Sequence, residues 1–146
     1  LSPYRAYLEK GEPAFVLSQI KRGFLQNYAA FVYEDVCREK MWELSAADTW
    51  DFHFDKVGRY WGAKAGEIDI VAIDTLGGNL VLGECKYTAS PKGLSVLHAL
   101  QEKAETMLKL TQTQNVQYIL FSTAGFTQGL TDEAKKDAKI KLIEKL

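Results

Sequence analysis

The sequence predicts one α/β domain in the order helix, three strands, helix, strand. Three observations carry this expectation. Apolar residues recur at helical spacing from Phe24 to Trp42 with no Gly or Pro inside. Three strand-like runs follow, joined by short glycine-containing turns. A second helical stretch, Leu94 to Leu110, then leads into the β-branched run VQYILFS.

Length and composition agree. At 146 residues the chain suits one domain with a sizeable core and is too short for two ordinary ones. With 47% apolar and 25% charged residues, and no low-complexity tract or internal repeat, it is a globular sequence. Its apolar runs stop well short of the roughly 18 residues of a membrane span, and the first residues lack a basic stretch followed by an apolar one. A soluble, cytoplasmic protein with no membrane partner is therefore expected. Cys37 and Cys85 lie inside segments that read as buried, so packed, reduced thiols are expected rather than a disulfide framework. With 18 basic and 19 acidic residues there is no phosphate-coating excess. Any nucleic-acid role must rest on a local site or on a partner domain.

Residues 1–23, with "KGEP" as a turn signal and "AFVLSQI" as a short apolar element, read as a lead-in segment left from a longer parent protein. Residues 24–146 are the domain proper. On the first helix, Leu25, Ala29, Val32 and Val36 form the expected buried stripe, with Glu34 beside it on a stripe shared with Ala30, Cys37 and Met41. Asp51 to Trp61 reads as loop plus first strand. "GAKAGE" is a turn, Glu67 to Asp74 the second strand, "TLGGN" a hairpin turn and Leu80 to Tyr87 the third strand, giving an antiparallel meander. The second helix places Leu97, Leu100, Ala104, Met107 and Leu108 on one face, and Val116 to Ser122 is a buried strand. A short helix through about Ala138 and a final strand in "IKLIEKL" close the chain.

The third strand raises the chemical question. Alternation sends Glu84 and Lys86 to the face that carries Leu80 and Leu82, and Asp69 of the second strand reaches them if the register sets the strand ends side by side. Burying such charges without partners costs several kcal/mol each. They therefore share an ion pair, a metal or a substrate. In the plainer account, Glu84 and Lys86 form a structural ion pair, Asp69 caps a loop and nothing binds. In the functional account, Asp69, Glu84 and the Cys85 carbonyl are hard oxygen ligands for a divalent cation, with Lys86 beside an attacking water.

The helix, "EIDIVAI" hairpin, "GECKY" strand, helix and strand together resemble the PD-(D/E)xK nuclease superfamily, whose fold is restriction-endonuclease-like. "GRYWGAKAGEIDIVAID" with "LVLGECKY", and "ALQEKAE" with "YILFSTAGFT", resemble more narrowly the C-terminal domain of the prokaryotic, largely archaeal, ATPases of family DUF234. The resemblance implies an α-β-β-β-α-β core with a central mixed sheet flanked by helices. It implies that Asp69 and Glu84 are the metal-binding acids, that Lys86 orients or activates water, and that Glu34 completes the metal site. Lys103 matches a helix residue that supports such sites, against the alternative of a solvated lysine. The implied cofactor is Mg²⁺ or Mn²⁺ and the implied partner is DNA. An ATPase module would lie upstream in the parent chain, since no G-x-x-x-x-G-K-[ST] loop is present. The superfamily proline is missing before Asp69, where Glu67 and Ile68 stand.

Other constellations are poorer. His53 and His98 are too few for a zinc site with two separated cysteines, and Ser95 and Ser122 lack a nucleophile-elbow context. Trp42, Trp50 and Trp61, with Tyr60, read as core and rim aromatics rather than a base-stacking platform. Three functions remain: a metal-dependent DNA endonuclease, a catalytically idle nuclease-like module with a regulatory or DNA-binding role beside an ATPase, and a structural or oligomerisation domain. A homo-oligomer is compatible with each.

Overall fold

The computed structural model describes residues 13–146, with side chains from Lys21 onward. Residues 1–12, including most of the "KGEP" turn signal, lie outside the described residues. Two compact units divide at Val32 and Tyr33. The second, residues 33–146, contains every candidate site residue.

Helix α1 runs from Pro13 to Ala46 and is followed by β1 (Lys56–Gly62), β2 (Gly66–Asp74) and β3 (Asn79–Lys86). Two short helices, α2 (Leu94–Gln101) and α3 (Ala104–Thr111), lead to β4 (Asn115–Ser122). Helix α4 (Gln128–Lys136) and β5 (Ile140–Ile143) complete the chain. The five strands form one sheet in sequence order. β1, β2 and β3 are antiparallel neighbours, and β3, β4 and β5 are parallel. Helical crossovers are what parallel neighbours require, and α2, α3 and α4 supply them. The result is the central mixed sheet in α-β-β-β-α-β order that the superfamily resemblance implies.

Each sheet face carries its own core. On one, Leu80, Leu82, Tyr118 and Leu120 pack against Leu97 and Leu100 of α2, Met107 of α3 and Leu130 of α4. On the other, Ile70, Ala72, Val81, Cys85, Ile119 and Phe121 pack against Tyr33, Cys37 and Met41 of α1 and against Trp50 and Phe54.

Two expectations are corrected. The buried stripe of α1 is not Leu25, Val32 and Val36, which are 62%, 42% and 42% exposed, but Tyr33, Cys37 and Met41. The helix has apolar residues on several sides, so spacing alone does not select the face. The face that meets the sheet is the one that also carries Glu34 and Arg38. The second correction is that Leu94 to Leu110 is two helices. The turn between them hydrogen-bonds Lys103 N to the Leu100 carbonyl at 3.1 Å, a tighter closure than the α-helical one, before Met107 N resumes with the Lys103 carbonyl at 3.0 Å. "QEKAE" has no Gly or Pro to signal the break. The expected apolar face survives it, because Leu97, Leu100, Ala104 and Met107 are all buried.

Candidate active site

Asp69 owes its position to a bulge in β2. Between the pairs Gly58–Val71 and Tyr60–Ile68, β1 has one residue, Arg59, where β2 has two, Asp69 and Ile70. The extra residue breaks the alternation of faces. Ile68 packs in the core under α2, Ile70 in the core under α1, and Asp69 is turned aside at the point of change. Asp69 also has no register partner in β3, whose pairing with β2 begins at Ile70–Gly83. Its side chain substitutes for that ladder: Asp69 Oδ2 accepts a hydrogen bond from Cys85 N at 2.9 Å. Its main-chain carbonyl accepts one from Arg38 Nη1 of α1, also at 2.9 Å.

Gly83 permits this approach. A Cβ there would sit 2.8 Å from Ile119 Cγ2 and 3.0 Å from Ile70 Cβ, closer than side chains tolerate. Beyond Gly83, Glu84 and Lys86 leave β3 on the face of Leu80 and Leu82, as alternation requires. Lys86 Nζ lies 3.9 Å from Glu84 Oε2, with the lysine side chain 39% exposed and the glutamate 14%.

These groups open into one cleft of about 430 Å³. Glu67 and Asp69 line it from β2, and Glu84 and Lys86 from β3. The helical wall consists of Ser95, Val96 and Ala99 of α2, with Lys103 at the turn before α3. Lys103 Nζ donates to the Glu67 carbonyl at 2.7 Å.

The carboxyl groups form a chain centred on Asp69. Burial, a hydrogen bond shared with Asp69 and the Asp69 charge push Glu84 up to about 8, against the opposing pull of Lys86 and Lys103. For Glu34, burial, then a shared hydrogen bond with Asp69 and its charge, raise the pKa to about 7, opposed by Arg38 and Arg59. Burial also acts to raise Asp69, but hydrogen bonds from Glu84, Cys85 N and Glu34 outweigh it and hold the group below the ordinary aspartate value. Near neutrality, then, two protonated or half-protonated glutamates serve one ionised aspartate. One carboxyl oxygen from each of Glu34, Glu67 and Asp69 lies within 4.8 Å of the other two. Clustered hard oxygen donors of this kind suit a divalent cation, which would take the place of the shared protons. Cys85 is no nucleophile: a hydrogen bond with Cys37, then burial, raise its thiol well above the usual range.

Asp69, Glu84 and Lys86 are thus brought together in the cleft, with Lys103 at its wall, while Glu34 meets Asp69 from α1 without lining the cleft. Three further groups escaped the sequence reading. Glu67 stands two residues before Asp69, in the Glu67–Ile68 stretch that lacks the superfamily proline. Arg59 Nη2 binds Glu67 Oε1 at 3.0 Å. Arg38 lies one helical turn beyond Glu34, and that i, i+4 spacing was the available signal.

The DUF234 profile, described as "Archaea bacterial proteins of unknown function", matches residues 1–113. The chain belongs to this family. This chain is also similar to "Uncharacterized protein MJECL04" of Methanocaldococcus jannaschii, 35% identical over 72 residues, which are 49% of this chain and 16% of that protein. Two solved structures are more distantly similar. "Crystal structure of a repair endonuclease from Pyrococcus abyssi" aligns at a TM-score of 0.49 and 16% identity, over 75% of this chain and 46% of that one. "Structure of EndoMS-dsDNA2 complex" aligns at 0.43 and 16% identity, over 71% and 40%. Likeness of that degree says nothing of chemistry. Among the described residues, no helix of this DUF234 domain is long and apolar enough to cross a membrane.

Proposed function

We propose that residues 33–146 form a divalent-metal-dependent nuclease domain that hydrolyses phosphodiester bonds in DNA, working beside an ATPase module in the parent protein. The observation that supports it is the convergence of Asp69, Glu84 and Lys86 on one cleft, with Glu34 of α1 sharing a hydrogen bond with Asp69 from outside the cleft lining. A structural ion pair at a sheet end has no need of the whole set. The plainer account, in which Asp69 caps a loop, explains its bond to Cys85 N but not two glutamates with raised pKa values beside it.

Asp69, Glu84, the Cys85 carbonyl and Glu34 are the groups that would hold Mg²⁺ or Mn²⁺, with Glu67 as a further oxygen donor. Such an ion, when bound, neutralises phosphate charge and makes a water more acidic. The chain's own residues do the rest. Lys86 presents its ammonium to the cleft, where it orients the water and offsets the charge that develops on the phosphorus oxygens as water attacks and the sugar oxygen leaves. Lys103 pins the Glu67 main chain and so the end of β2. Arg38 holds the Asp69 carbonyl from the α1 side, which keeps the bulge and its carboxylate in place.

Cleavage of plasmid and oligonucleotide DNA in Mg²⁺ or Mn²⁺, compared with Asp69→Asn, Glu84→Gln and Lys86→Met, tests the proposal. Metal-dependent cutting lost in all three variants supports it. Specific metal and DNA binding with no cutting under any condition would instead favour the idle module.

A further inference from the structure

The three tryptophans separate in the structure. Trp50 is buried and Trp42 is part-exposed on α1, but Trp61 is 79% exposed and belongs to neither core nor rim. It stands next to the β1–β2 turn, on a strand at the sheet edge. An indole left this open keeps a large apolar face available to a partner.

Its location is what gives it meaning. Trp61 is the register partner of Glu67. Partners across an antiparallel pair have side chains on the same face, with Cβ atoms about 5 Å apart. Glu67 in turn has its carboxylate within 4.8 Å of Asp69 and Glu34. The indole therefore stands one strand spacing from the acidic cluster. On the other parity, Tyr60 pairs with Ile68 and packs against the core under α2, so Trp61 lies on the α1 face of the sheet, on the parity of Val57. Lys64 at the turn is exposed and has no ion pair among the described residues, and Arg59, next on the parity of Trp61 in β1, is ion-paired with Glu67. Cationic groups around an open indole complement a strand with negative phosphates and apolar base faces.

We propose that Trp61, with Lys64, is a nucleic-acid contact that stacks an unpaired base beside the acidic cluster of Glu34, Glu67 and Asp69. The contact selects strands with unstacked nucleotides, whether single-stranded or at a distortion, over continuous duplex. It rests on the nuclease assignment above.

The test is fluorescence anisotropy of a labelled oligothymidylate and of a blunt duplex, titrated with the 146-residue chain in Ca²⁺. Trp61→Ala, Trp61→Leu, Trp61→Phe and Trp42→Phe are compared with wild type, and thermal melts establish that each is folded. Trp61→Ala and Trp61→Leu should each weaken single-strand binding about tenfold, as loss of one stacked base does, and Trp61→Phe should stay within about threefold. Duplex binding and Trp42→Phe should be unchanged. If wild type and Trp61→Ala bind the single strand equally, or if Trp61→Leu binds as well as Trp61→Phe, the stacking contact is wrong while the nuclease assignment stands. No binding of either nucleic acid by wild type overturns both.

Discussion

Arg38 Nη1 donates to the main-chain carbonyl of Asp69 at 2.9 Å, joining α1 to the only residue of β2 that has no partner in either ladder. The same guanidinium binds Asp35 Oδ1 at 2.6 Å through Nη2, which fixes its orientation on the helix. A bulge exposes a carbonyl that the sheet no longer satisfies, and a half-buried arginine restores the bond. Arg38→Met should therefore destabilise the domain by about 1–3 kcal/mol in urea unfolding, the cost of an unsatisfied buried acceptor. Arg38→Lys should recover only part of it, since one ammonium does not reproduce the two-pronged contact. Equal stability of wild type and Arg38→Met would mean that the bulge holds itself.

Gly83→Ala should destabilise by about 1–3 kcal/mol, because the added carbon meets Ile119 and Ile70 from neighbouring strands and packed side chains yield little. The loss should come with weaker metal binding, since β3 cannot shift without moving Glu84. Unfolding midpoints and Mn²⁺ titrations measured on the same sample check the pairing.

Without metal, stability should fall as pH rises. Glu84 and Glu34 have ordinary values of 4.5 but values of about 8 and about 7 in the folded chain. Between these limits the folded state holds more protons than the unfolded one, so the stabilising contribution is complete below about 4.5 and is lost as pH climbs through about 8. Asp69, held low, acts in the opposite sense only below its ordinary 3.8, outside this window. Chelated protein should thus have a higher urea midpoint near pH 5 than near pH 8, and Glu84→Gln should flatten the slope. A flat profile in wild type would show that the carboxyl groups do not share protons.

Lys86→Met should lower cleavage about 10²-fold or more, by removing the charge that meets the transition state, while leaving the melting temperature within a few degrees because the side chain is part-exposed and its nearest carboxylate oxygen is 3.9 Å away. Single-turnover assays at saturating metal would show the loss in rate rather than in binding.

Much of this was legible in sequence, for identifiable reasons. Strand alternation alone put Glu84 and Lys86 on one face, and the glycine-rich turns gave the hairpins. The bulge at Asp69 was not legible: "EIDIV" alternates smoothly, and only the pairing with β1 shows that Ile68 and Ile70 face opposite cores. The buried stripe of α1 was misread because Leu25, Val32 and Val36 are as apolar as the residues that do pack. The break at Lys103 left no mark in "QEKAE", and the bond from Lys103 Nζ to the Glu67 carbonyl beside it is a tertiary contact that spacing does not show. Trp61 was grouped with Trp42 and Trp50 as core and rim aromatics because composition carries no exposure.

The central claim is that Asp69 organises a divalent-cation site, and calorimetric titration of Mn²⁺ into the domain, beside Asp69→Asn, tests it most directly. The account predicts saturable binding with proton release in wild type near neutral pH, absent from a folded Asp69→Asn variant. Binding that is undiminished in the variant, or no specific heat from wild type at millimolar Mn²⁺, would contradict it.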